Sequence, residues 1–121
     1  MKGGVKMEEM AELKKIDAML LLCKQVKEQL NAKHFAECKD MIALSMGLYP
    51  DAPEPHNFYG ILLEARGMHT LAMKHFRASA DLDPTYTPAI YNMEACGSFY
   101  SDDRTLAFDR EDCMKKRRKA E

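Results

Sequence analysis

The sequence predicts an all-α protein, a superhelix of stacked antiparallel helical hairpins with a long N-terminal helix and a C-terminal capping helix. Three observations predict it. Between residues 7 and 98 apolar residues recur at three- and four-residue spacing, and no stretch alternates with period two. Prolines and glycines fall where such helices would start and stop. The helix ending "SADLDP" (79–84) is preceded, 34 residues earlier, by a second copy, "SMGLYP" (45–50).

The elements follow in order. A first helix is expected from about Met7 to Leu30, roughly 35 Å long at 1.5 Å per residue, against about 20 Å for its successors. A second runs from about His34 to Leu48 and stops before Pro50, since a residue preceding proline is pushed out of helical geometry. The third starts near Pro53–Pro55, where proline's missing N–H costs nothing, and ends at Gly67, which accepts a left-handed closing conformation. The fourth spans about His69 to Leu82 and is halted by Pro84. The fifth takes Thr87 as N-cap and Pro88 as first helical residue, and continues to about Gly97. A short tail helix from Asp109 to Lys119 is supported by the i, i+4 pairs Glu111–Lys115 and Asp112–Lys116. One domain therefore covers residues 1–99, with repeats at about 19–52 and 53–84 and a capping helix at 87–98. Residues 100–121 form a charged tail or short helix.

The period carries more than the stops. Subtracting 34 takes Pro84 to Pro50, Leu82 to Leu48, Ser79 to Ser45, Phe76 to Ile42 and Ala72 to Cys38. Residues 53–84, "PEPHNFYGILLEARGMHTLAMKHFRASADLDP", resemble the tetratricopeptide repeat family, whose helix–turn–helix unit recurs with this 34-residue period. Tyr59 and Leu63 are the large residues of its first helix, with small Gly60 between them. Ala72, Phe76, Ser79 and Pro84 follow the pattern of the second helix. Half of a further repeat is visible in "PAIYNMEACG" (88–97). The first repeat departs from the pattern: strict alignment sets Val26 against Gly60 and Lys33 against Gly67. Its inter-helix turn is therefore expected to differ by one residue.

Composition narrows the function classes. A chain of 121 residues holds one domain with a core. A formal net charge of −1 gives no field that would favour nucleic acid or an anionic membrane. The longest apolar run, Ala18 to Cys23, is far short of a span, and "MKGGVKMEEM" has no secretory h-region. Cys23, Cys38, Cys96 and Cys113 lack paired spacing and read as reduced, mostly buried thiols, so a cytoplasmic location is expected. His34, His56, His69 and His75 are not spaced as metal ligands, and no nucleophile turn or phosphate loop is present. No catalysis, metal or cofactor is expected. The basic run Lys115–Lys119 reads as a solvated helix end.

The resemblance implies a non-catalytic protein–protein interaction module that holds a partner's peptide or helix in a concave groove. The groove positions it implies are Glu54, Asn57, Ile61 and Glu64, with Tyr91, Ala95 and Ser98 from the half repeat. Two acids and no base among them favour a basic or neutral ligand. Asn92 matches an asparagine common in the family. The lysine–asparagine pair that grips chaperone C-termini is missing, so such ligands are not expected. The alternative is a homodimer formed through the stripe Leu13, Ile16 and Leu20 of the first helix. Against both stands a third expectation, that the tail covers the first helix or fills the groove.

Overall fold

The computed structural model describes residues 6–97 and 106–120, which form six helices and no strand. They are α1 (Met7–Asn31), α2 (Phe35–Leu48), α3 (Glu54–Ala65), α4 (His69–Leu82), α5 (Thr87–Gly97) and α6 (Arg110–Ala120). From α1 to α5 each helix packs on the next, α1 also touches α3, and α6 lies against α5. Connections this short make consecutive helices antiparallel neighbours. No helix among the described residues is long and apolar enough to cross a membrane.

The 34-residue offset is written into the backbone. Lys33 (φ 60°) and Gly67 (φ 76°) both take the left-handed conformation. The residues after them, His34 (φ −85°, ψ 67°) and Met68 (φ −95°, ψ 64°), enter the following helices at nearly the same angles. The first turn therefore keeps strict register, and the expected one-residue shift does not occur. Lys33 accepts a conformation that costs a non-glycine residue about 1 kcal/mol, because the packing on either side of the turn fixes the register.

That packing repeats as well. Cys38 and Ile42 in α2, like Ala72 and Phe76 in α4, are at most 1% exposed. Gly60 lets α3 and α4 meet: a Cβ there would lie 2.6 Å from Cδ1 and 2.9 Å from Cζ of the Phe76 ring. Ser79 leaves room for a neighbouring helix and also donates to the Pro53 carbonyl at 2.7 Å, tying α4 to the start of α3. Two apolar clusters result. One joins Met19, Leu22 and Val26 of α1 to Cys38, Ile42, Ala52, Phe58 and Leu62. The other joins Ile61, Leu63, Ala72 and Phe76 to Leu106, beyond α5.

The long helix divides in two. Its buried line is Met19, Leu22 and Val26, whereas Leu13, Ile16 and Leu20 are 55, 48 and 67% exposed. At its C-terminal half Lys27 meets the tail: Nζ lies 3.8 Å from Asp109 and 3.5 Å from Asp112, and 5.3 Å from the centroid of the Phe108 ring. The tail helix is closed at its start by a reciprocal pair. Asp109 Oδ1 accepts from the Asp112 N–H (2.8 Å), and Asp112 Oδ2 accepts from the Phe108 N–H (3.1 Å). The expected Glu111–Lys115 pair forms at 3.3 Å. The side chain of Lys116 lies outside the described residues.

Candidate functional site: a groove filled by residues 106–108

The face shared by α3 and α5 carries two fully buried asparagines, Asn57 and Asn92. Burying an amide with unmet donors or acceptors is costly, so each polar atom needs a partner. The partners come from a non-helical segment ahead of α6, Leu106–Phe108. Asn92 Oδ1 accepts from the Ala107 N–H at 2.7 Å, and Asn92 Nδ2 donates to the Ala107 carbonyl at 2.8 Å. Asn57 Nδ2 donates to the same carbonyl at 3.1 Å, and Asn57 Oδ1 accepts from Asn92 Nδ2 at 2.8 Å. The pair thus grips one residue's backbone on both sides.

Tyr86 completes the clamp from the joint between α4 and α5. Its hydroxyl donates to the Phe108 carbonyl at 3.0 Å and accepts from Asn57 Nδ2 at 3.3 Å. Asp83 shapes that joint, accepting from the Thr85 N–H (2.9 Å) and hydroxyl (2.7 Å), bonds that hold its carboxyl below the usual carboxylate range. Desolvation lifts the Tyr86 phenol well above its ordinary value and keeps it a donor.

The side chains of the segment occupy flanking positions. Leu106 joins the cluster of Ile61 and Leu63. Ala107 is 0% exposed, so only a small residue fits there. Phe108 meets Phe58 at a centroid distance of 6.0 Å and lies under the Lys27 ammonium. The acids that follow it face the same cation.

Of the positions implied by the resemblance, Asn57 and Ile61 lie on this face, both covered by the segment. Ala95 is half-buried and packs on the Ile61 cluster. Tyr91 is half-buried. Glu64 stands apart, with Oε2 3.1 Å from His69 Nδ1. Glu54 points elsewhere, into a second feature described below. Ser98 lies outside the described residues. The sequence reading missed Lys27 and Tyr86 and gave Asn92 no role by itself. Paired with Asn57, Asn92 holds a backbone rather than a carboxylate. Lys27, on α1, meets the acids that follow the segment, Asp109 and Asp112.

Beside the groove, a cavity of about 420 Å³ opens between α1, the start of α3 and residues 108–111. Ile16, Met19 and Leu20 form one wall; Phe58, Tyr86 and Phe108 form the other.

The remaining titratable groups fall into two sets. His56 and His75 stack at 5.5 Å and share a hydrogen bond between Nδ1 atoms at 3.2 Å, so at least one ring is unprotonated there. Burial depresses the pKa of both. Cys38 and Cys113 are buried, and Cys23 and Cys96 half-buried. Burial pushes Cys23 and Cys38 up to about 11, which leaves them protonated and poor nucleophiles at neutral pH. Among the described residues no three His, Cys, Asp or Glu side chains converge as metal ligands.

Compared with known proteins, the chain matches no family model, no curated protein and no solved structure.

Proposed function

We propose that this chain is a non-catalytic peptide-binding module of tetratricopeptide-like hairpins, whose groove is held by its own residues 106–108 until a partner's extended segment replaces them. The observation that carries this reading is the two-sided grip of Asn57 and Asn92 on the Ala107 backbone. Backbone atoms are common to every extended chain, so the clamp is equally suited to a foreign one. Side-chain selection comes from the flanks. A small residue is required at the clamp, a leucine-like residue before it and an aromatic after it. Acids downstream face Lys27.

The resident segment competes by tethering. A segment joined to its site by a short connection has an effective concentration of about 1 mM. A ligand of micromolar intrinsic affinity is then weakened about 10³-fold in the resting protein. The test uses a labelled peptide with the sequence of residues 106–113, titrated into full-length protein by fluorescence anisotropy. Ala107→Trp, too large for the clamp, is expected to free the groove and bind the peptide at least 100-fold more tightly than the unaltered chain does. Adding Asn57→Ala to that variant removes the binding. No binding by Ala107→Trp, or binding indifferent to Asn57, refutes the reading.

A second reading, a homodimer through α1, is favoured by the exposure of Leu13, Ile16 and Leu20 along one edge. Light scattering over a concentration series decides it. A dimer that Leu20→Asp converts to monomer supports it, and a monomer at all concentrations removes it.

A further inference from the structure

The cavity beside α1 contains one group that its surroundings leave unsatisfied. Glu54 Oε1 is buried and has no hydrogen-bond partner, while the residue lines the cavity. An acceptor left without a donor is costly, and more so when it is charged. Lys15 on α1 acts on Glu54 through its charge, but its Nζ pairs with Asp51 at 3.5 Å rather than with Glu54 Oε1. The cavity is also unbalanced in charge. Glu12, Glu54, Asp83, Asp109 and Glu111 line it against Lys15 and Arg110, a formal net charge of −3.

The walls fit the other half of a ligand. Ile16, Met19 and Leu20 offer an aliphatic surface, and Phe58, Tyr86 and Phe108 offer three aromatic rings. Aromatic faces attract organic cations, the more strongly when desolvated. A volume of about 420 Å³ lies within the range of small-ligand sites. A purely apolar ligand would leave Glu54 unpaired, and an anion would meet a net negative site.

We propose that this cavity binds an organic cation on an aliphatic stem, an alkylammonium or alkylguanidinium group whose charge pairs with Glu54 and whose stem lies between α1 and the aromatic wall. This site lies beside the Asn57–Asn92 clamp and shares Tyr86 and Phe108 with it, so it is complete only while residues 106–108 are docked. Burial, the largest influence on Glu54, raises its pKa from 4.5, against a backbone hydrogen bond and the charges of Lys15 and Arg110, which lower it.

The experiment titrates the full chain with hexylammonium, 1-hexanol and hexanoate, reading chemical shifts of the Glu54 and Met19 resonances. Hexylammonium is expected to bind at least tenfold more tightly than hexanol, and hexanoate more weakly than both. Glu54→Gln, which keeps the shape and removes the charge, is expected to abolish that preference while leaving the thermal midpoint unchanged or higher. The hexanol comparison on unaltered protein needs no variant and stands if Glu54→Gln misfolds. Equal binding of hexanol and hexylammonium, no binding of either, or a preference that survives Glu54→Gln overturns the proposal. A capped Leu-Arg-Leu tripeptide separates the two sources of such a cation. Tighter binding than hexylammonium assigns the site to a partner's basic side chain, and weaker binding assigns it to a free amine.

Discussion

Replacing Asn92 by alanine tests the clamp most directly. The side chain makes three hydrogen bonds, two to the Ala107 backbone and one to Asn57. Its loss strands two buried groups, the Ala107 N–H and Asn57 Oδ1, since the Ala107 carbonyl keeps its bond from Asn57. Each stranded group costs about 1–3 kcal/mol, so the docked state loses about 2–6 kcal/mol. The chain need not bear all of that, because lifting the segment rehydrates both groups. Docking free energy therefore caps the global effect, and the local effect is the larger one. Native-state hydrogen exchange at the Ala107 amide should accelerate by about 30-fold to 10⁴-fold, at one factor of ten per 1.4 kcal/mol. Amides in the middle of α4, for instance at Phe76, should change far less. Unchanged exchange at Ala107 would show that the clamp contributes nothing. Equal acceleration at Ala107 and Phe76 would show that the segment is part of the core rather than a separable occupant.

Two further outcomes follow from the packing and the histidines. Gly60→Ala gains about 1 kcal/mol of helix propensity but drives a methyl into the buried Phe76 ring, at an overpacking cost of about 1–3 kcal/mol. Chemical denaturation should show net destabilisation, and the penalty should shrink in a Phe76→Leu background. His56 and His75 have folded pKa values depressed below 6.5 by burial. The unfolded chain therefore takes up protons first as pH falls. Stability present above pH 6.5 is lost on acidification through the depressed folded values. The thermal midpoint should fall between pH 7.5 and 5.5, and His75→Phe should reduce that fall.

The sequence made the helices legible because helix stops are local. Pro50, Pro84 and Gly67 act on their immediate neighbours, and all six helices lie within a residue or two of the expected bounds. The register of the first turn was harder to read, because Lys33 shows no left-handed preference in its identity. Only the packing of Cys38 and Ile42 against α1 imposes it. The groove was legible on one side only. Asn57 and Ile61 sit on a helix whose faces follow from spacing. Lys27, Tyr86 and Ala107 come from three separate parts of the chain that meet only in the fold. The charges around the segment divide in the same way. The groove helices carry acids, and the cation that faces the occupant belongs to α1.

If the segment is an exchangeable occupant, the tether sets the competition and the clamp sets the chemistry. Eight residues separate Gly97 from Leu106. Each doubling of a loop's length costs about 0.6 kcal/mol of closure entropy. Inserting eight glycine and serine residues should therefore tighten peptide binding only about threefold. Cutting the same tether removes the intramolecular advantage altogether, and after dilution of the released segment should tighten binding by about 10³-fold. The measurement is the anisotropy titration, run on intact, lengthened and cleaved protein, the last through a protease site placed within the insertion. A small effect of length with a large effect of cleavage is the signature of an occupant held by proximity. If cleavage leaves the segment bound and the peptide excluded, the docking is strong without the tether. Residues 106–108 would then be a permanent part of the core.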